Sequence, residues 1–319
     1  MVYVRLAILF STYNVCNSEA STGPDDTLKN SVLLIFIRNW CYMVQIINET
    51  ANLVKKVEFI IKNLLIYKFF RKIGISVSKR LYPKGIKKNL GGGGSFLFSH
   101  EFTFYDLSSW GKGKNNGFNK LVNLAKGKRI VFDIGAHIGL CSMPISRVLS
   151  EDGRCYVFEP SKGNLKFLKQ HLQMNRIYNV YVIECLVGDE RLENVEFYEM
   201  NGDSGMNTIS GVKKGEREYK KVLKRQITID GFVEENGVVP ELIKIDVEGA
   251  EVKVLSGGEG VLKKYHPEII LSVHTKHIKD LGYSLDHLRK SISDLGYEIY
   301  NIDGTRAKDD LVSREYYLV

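Results

Sequence analysis

The stretch Val131-Phe132-Asp133-Ile134-Gly135-Ala136-His137-Ile138-Gly139 decides how this chain folds. Ile130 to Ile134 is a short run of β-branched and aromatic residues, the character of a strand buried on both faces. It runs into a turn with glycines at 135 and 139, and a helix-like stretch, Leu140 to Leu149, follows. In an open parallel sheet, ligands bind at the carboxyl ends of strands, and glycines there let the backbone pass close to a bound molecule. The spacing is G-x-x-x-G, not the G-x-G-x-x-G that admits a pyrophosphate onto a helix N-terminus. Asp133 stands at the strand end, which suits a ligand carrying an ammonium and a sulfonium better than a diphosphate.

Working outward, the same alternation continues. Cys155 to Phe158 reads as a second strand, Asn164 to Met174 as a helix and Val180 to Leu186 as a third strand. Leu242 to Ile245 and Glu268 to Val273 are further strands. Val252 to Lys264 between them is a helix interrupted by Gly257 and Gly258. Leu285 to Leu295 is another helix, and Tyr297 to Ile302 and Glu315 to Val319 are the last strands. Strands alternating with helices predict an α/β fold with a mostly parallel sheet covered by helices on both faces. The short connection between the last two strands predicts an antiparallel pair.

Three acids follow the first three strands in order. Glu159, in Val157-Phe158-Glu159-Pro160, stands where a carboxylate can take both hydroxyls of a ribose. Asp189, in Val187-Gly188-Asp189, could accept from an adenine amino group. With Asp133 they outline a nucleoside with a cationic tail, S-adenosylmethionine; each alone is as readily a helix cap. A second acidic cluster lies in Ile243-Lys244-Ile245-Asp246-Val247-Glu248-Gly249-Ala250-Glu251. The strand delivers Asp246 to the same sheet edge, Glu248 sits in the turn, and Glu251 opens a helix whose dipole would favour it there in any case. Carboxylates gathered like this need hydrogen bonds, a cation or raised pKa values. His274 follows the fifth strand and could take a proton from a substrate hydroxyl. His137 reads as cofactor-adjacent backbone, and His266, His277 and His287 as surface positions. The carboxylates could hold one divalent ion, but no motif demands a metal.

These segments together resemble the FkbM-type S-adenosylmethionine-dependent methyltransferases over about residues 100–302, with Ile245-Asp246-Val247-Glu248-Gly249-Ala250-Glu251 the most telling piece. The resemblance implies a seven-stranded class I methyltransferase (Rossmann-like) sheet with an antiparallel last strand. It implies methyl transfer, usually to a hydroxyl of a sugar or secondary metabolite. It assigns cofactor binding to Asp133, Gly135, Ala136, Gly139, Glu159 and Asp189, and the active edge to Asp246 and Glu248. Two positions depart from the family pattern: Ser272 stands where an acid is frequent, and His137 where Asn is frequent. Asp246, Glu248 and His274 are therefore the catalytic candidates, His274 or Asp246 as base and Glu248 orienting the acceptor.

Composition bounds the rest. The chain has 319 residues, 44% hydrophobic and 26% charged, with only 6 prolines, which excludes disordered, collagen-like and multi-span membrane classes. The five cysteines form no C-x-x-C, so neither a disulfide framework nor a zinc site is expected, and the default compartment is the cytoplasm. The net charge of +8 is unevenly spread. Residues 1–100 hold 14 Lys/Arg against 5 Asp/Glu, and residues 101–319 hold 31 against 32. A near-neutral main body is poor for a phosphate backbone, so no nucleic-acid partner is expected. From Lys55 to Lys88 there are eleven Lys/Arg and one acid, Glu58, beside an apolar stripe that begins at Leu53. Residues 51–90 could thus touch the anionic inner face of a membrane, or cap the main domain. Ser31 to Ile47 is apolar but interrupted by Arg38, Asn39 and Gln45, so it does not read as a spanning helix.

Gly91 to Gly94 reads as a flexible break, dividing a basic, mainly helical extension, 1–94, from a methyltransferase domain, 95–319. Val195 to Gln226 is the expected lid or acceptor wall. Two rival readings remain at this level: an RNA methyltransferase, and a degenerate, non-catalytic protein that keeps the fold.

Overall fold

The structure is a computed structural model that describes residues 65–200, 219–308 and 310–319. The apolar stretch 31–47, most of the expected basic extension and residues 201–218 of the expected lid lie outside the described residues. The chain forms two compact units, Met1–Pro83 and Lys84–Val319. In the first, helix α1 spans Leu65–Leu81.

The second unit is built on a seven-stranded sheet. Its strands are β3 (Ile130–Ile134), β4 (Arg154–Phe158), β5 (Val180–Ile183), β9 (Leu242–Ile245), β10 (Glu268–Ser272), β11 (Ile299–Asn301) and β12 (Glu315–Leu318), in the order β11-β12-β10-β9-β3-β4-β5. Pairing is parallel from β10 through β5, while β12 runs antiparallel to both β10 and β11. The class I arrangement implied by the resemblance is therefore the observed one, antiparallel last strand included. From β3 the chain builds outward to β5, then returns to place β9 on the other side of β3. The order reverses between β3 and β9, the point at which open α/β sheets bind ligands.

Alternating side chains of the strands enter two cores. Phe132, Ile134, Phe158, Ile243, Ile245, Ile269 and Leu271 face one. This core is covered by α5 (Ile229–Asn236), α6 (Glu251–Ser256), α7 (Glu259–Tyr265) and α9 (Leu285–Asp294). Val131, Cys155, Val157, Leu242 and Ile270 face the other, under α2 (Gly117–Leu124), α3 (Ser142–Val148) and α4 (Lys162–Met174). Burial on both faces is why these strands read as predominantly apolar runs.

Two elements differ from the sequence reading. Gly91 to Gly94 is no loose linker: it closes a hairpin between β1 (Ile86–Asn89) and β2 (Ser95–Phe98). Gly91 has φ +48°, and a Cβ there would lie 1.9 Å from the Trp110 carbonyl oxygen, so this position is glycine because backbone packs on backbone. Leu90, Phe96 and Phe98 from this hairpin sit in the second core. The hairpin thus belongs to the unit that begins at Lys84, ahead of the glycine run.

The expected third strand, 180–186, is divided. It leaves the main sheet after Ile183, turns at Glu184, and re-forms as β6 (Leu186–Val187). β6 lies in a separate three-stranded sheet with β8 (Tyr219–Ile227) and β7 (Leu192–Met200). The segment expected as lid is thus, where described, an antiparallel pair of strands. The remaining helix, α8 (Thr275–Asp280), is short and has no apolar periodicity to announce it. Among the described residues no helix is long and apolar enough to cross a membrane.

Candidate active site

The registers Asp133↔Lys244, Ile134↔Ile245 and Ile134↔Phe158 bring the ends of β3, β4 and β9 level. A cleft of about 320 Å³ opens beyond them. Its turn at Gly135 has φ +81°, and a Cβ there would stand 1.9 Å from the Asp246 carbonyl oxygen. The glycine read as making room for a ligand therefore first makes room for the neighbouring strand end. One end of the cleft is apolar, walled by Phe158, Cys185, Leu186, Val187 and Phe197. The other is charged, with Lys244, Asp246, Glu248 and His274, and Trp110 and Asn115 also line it.

Gly135, Ala136 and Glu159 of the expected cofactor residues lie on the cleft wall. Glu159 is 4% exposed; its Oε2 accepts from the His137 backbone N–H (2.8 Å), and its Oε1 from Ser161 N–H (2.9 Å) and Asn164 Nδ2 (3.1 Å). Burial raises the carboxyl's pKa, and these three donors pull it back towards the ionised form. Glu159 thus ties the glycine turn to the start of α4 as well as facing the cleft.

Three expected cofactor residues stand elsewhere. Asp133 is fully buried beneath the cleft, where its Oδ2 accepts from Ser142 Oγ (2.6 Å) and its Oδ1 pairs with Lys244 Nζ (3.1 Å). The acid read as facing an ammonium already has one, from within the chain. Gly139 is off the cleft wall and packs against Leu168. Asp189 lines a second cleft and pairs there with Lys253 (3.2 Å), because the break after Ile183 carries the chain past the first cleft before residue 189. Cys185, Leu186 and Val187 take the wall position that Asp189 was expected to hold.

Asp246, Glu248 and His274, from the turns after β9 and β10, converge. His274 Nε2 lies 3.6 Å from Asp246 Oδ1 and 3.8 Å from Glu248 Oε2. Its Nδ1 is 2.7 Å from Oε1 of Glu251, a carboxylate with no exposed side-chain surface. Burial by itself would lower the imidazole pKa. The Glu251 hydrogen bond and the charges of Glu248 and Asp246 outweigh it, and the pKa rises to about 9. Burial pushes the Glu248 carboxyl up; His274 opposes that shift and the Asp246 charge adds to it. One atom each from Asp246, Glu248 and His274 lies within 4.8 Å of the others, a donor set of the kind a divalent cation uses.

Several participants were not singled out from sequence. Lys244 is 6% exposed; its Nζ donates to the Gly135 carbonyl (2.7 Å), pairs with Asp133 and lies 3.6 Å from Asp246 Oδ2. Burial works against its charge, but the two aspartates outweigh it and hold the ammonium well above the usual lysine range. A lysine inside the apolar run Leu242 to Ile245 was the available signal, since buried lysines are almost always paired. Glu251 was read as a helix-start acid and proves to hold His274. His277, read as a surface position, is half-buried with Nδ1 3.0 Å from Glu248 Oε2, and its ring stacks on His274. Glu315, on β12, accepts from the Gly117 backbone N–H and so ties the segment bearing Trp110 and Asn115 to the sheet. Trp110 Nε1 is buried with no hydrogen-bond partner among the described residues. Neither of these last two had any sequence signal.

A family model described as the Methyltransferase FkbM domain matches residues 133–299. Among solved structures, the chain resembles an FkbM methyltransferase from Methylobacillus flagellatus KT, with TM-score 0.40 and 21% identity over 61% of this chain and 44% of that one. It also resembles a precorrin-6y C5,15-methyltransferase from Geobacter metallireducens GS-15, with TM-score 0.37 and 14% identity over 64% and 87% of the two chains. Fibrillarin from Aeropyrum pernix, solved with bound S-adenosyl-L-methionine, matches with TM-score 0.33 and 13% identity over 61% and 68%. The chain spans less than half the length of the first of these. No curated protein matches it.

Proposed function

The chain belongs to the FkbM methyltransferase family, and we propose that it transfers a methyl group from S-adenosylmethionine to a hydroxyl of a sugar, a glycan or a small metabolite. The two-ended cleft carries this reading. An apolar slot at Phe158 and Cys185 to Val187 suits a nucleobase, Glu159 stands beside it for the ribose, and the carboxylates of Asp246 and Glu248 suit a cationic sulfur.

When bound, the cofactor supplies an electrophilic methyl group and a thioether leaving group. The protein's task is to align the acceptor and remove its proton. His274 is the base in this reading: Nε2 faces the charged end of the cleft, while Glu251 fixes the ring through Nδ1. Asp246 and Glu248 steady the imidazolium that forms, and Glu248 orients the acceptor. Trp110 Nε1, without a partner among the described residues, is a candidate donor to an acceptor oxygen. The same carboxylates repel phosphates, which favours neutral acceptors over a nucleic-acid backbone.

Calorimetric titration with S-adenosylmethionine tests the cofactor site. Binding is expected in the wild type, weakened at least about tenfold by Glu159→Ala. Asp189→Asn, in the second cleft, should bind as the wild type does. A folded wild type that binds nothing would sink the reading and leave a non-catalytic scaffold.

A further inference from the structure

Helix α1 has a sharply divided surface. Gly74 and Ser78 are buried, while Phe69, Lys72, Ile73, Ser76, Lys79 and Arg80 are exposed. At 100° per residue the exposed six fall on one continuous arc about 120° wide. Within it Phe69 is 60% exposed and Ile73 39%, one turn apart. Lys72, Lys79 and Arg80 stand beside them, and Leu65–Leu81 contains five Lys/Arg and no acid.

We propose that this face of α1 docks on an anionic lipid surface, with Phe69 and Ile73 entering the headgroup boundary and the cations meeting lipid phosphates. Charge complementarity selects the occupant. A water-facing helix ordinarily mixes both signs of charge, and α1 has one sign only. The excess is not local to the helix, since eleven Lys/Arg and a single acid lie between Lys55 and Lys88. A neighbouring Phe and Ile among those cations favours lipid over a nucleic acid, which would gain nothing from an exposed isoleucine. The inference is independent of the acceptor and of the methyl-transfer site.

Flotation of the full chain with phosphatidylglycerol-rich vesicles, against phosphatidylcholine alone, tests it. Two double variants accompany the wild type: Lys72→Glu with Arg80→Glu, and Phe69→Ala with Ile73→Ala. All four side chains are exposed, and unchanged helical content by circular dichroism checks that each variant is folded. The expected result is binding to the anionic vesicles only. The charge pair should weaken it by about tenfold or more, and the apolar pair several-fold. No binding, or variants that float as the wild type does, would overturn the proposal. So would an apolar pair without effect combined with RNA binding lost in the charge pair, which would mark a general polyanion site.

Discussion

At neutral pH the imidazole of His274 carries a proton in the free protein, because Glu251, Glu248 and Asp246 together outweigh the effect of burial. A base must first lose that proton. The unprotonated fraction rises about tenfold per pH unit below the pKa. The kcat/KM of methyl transfer should therefore climb with pH and level off near the His274 pKa of about 9. Asp246→Asn removes one of the charges that hold the proton on, so its limb should move to lower pH. Glu251→Gln should do the same while also lowering kcat, since the ring loses its charged anchor. A profile already flat well below about pH 9 would instead favour Asp246 as base. The donor types were readable at this scale: Asp246, Glu248 and His274 each follow a recognisable strand, and the structure brings them together. Asp133 and Asp189 were read by the same logic, yet each has a lysine partner, Lys244 and Lys253, drawn from another element. An acid's position can be read along one strand, but whether it is already neutralised depends on its neighbours.

The elements with strong periodicity behave as the sequence implies. β3, β4, β9 and β10 are predominantly apolar runs because both faces are covered, and Asp133 and Lys244 are tolerated inside them because they pair with each other. The hairpin of β1 and β2 is the instructive exception. Four consecutive glycines read as a joint, but Gly91 lies against the Trp110 carbonyl and Phe98 is fully buried, in ring contact with Phe102 and His171. Phe98→Ala should cost about 3–5 kcal/mol in denaturant unfolding of the protein, the loss expected of a core phenylalanine. A change within experimental error would show that the hairpin is an attachment and not core. The break at Glu184 has a related cause. The sequence from Val180 to Leu186 carries too little polar interruption to show that two sheets divide it, since each half makes its own strand pairs.

At the scale of the molecule, the unit beginning at Lys84 holds the sheet, both cores and the cleft. A fragment starting at Lys84 should therefore fold and bind S-adenosylmethionine. A fragment starting at Ser95 would lack β1 and Leu90, expose part of the second core and unfold at lower temperature. Equal melting temperatures would place the hairpin outside the cooperative unit.

The sequence by itself determined the α/β class, the succession of the main strands along the chain, the antiparallel pair at the end and the family. These follow from local period and from motifs that each lie within one strand and its turn. Tertiary structure alone decided which acids face the cleft, that Lys244 neutralises Asp133, that Glu251 holds His274, and that Trp110 and Asn115 join the wall. Each of these is a contact between segments far apart in the chain, held by packing and charge pairing that no local pattern encodes.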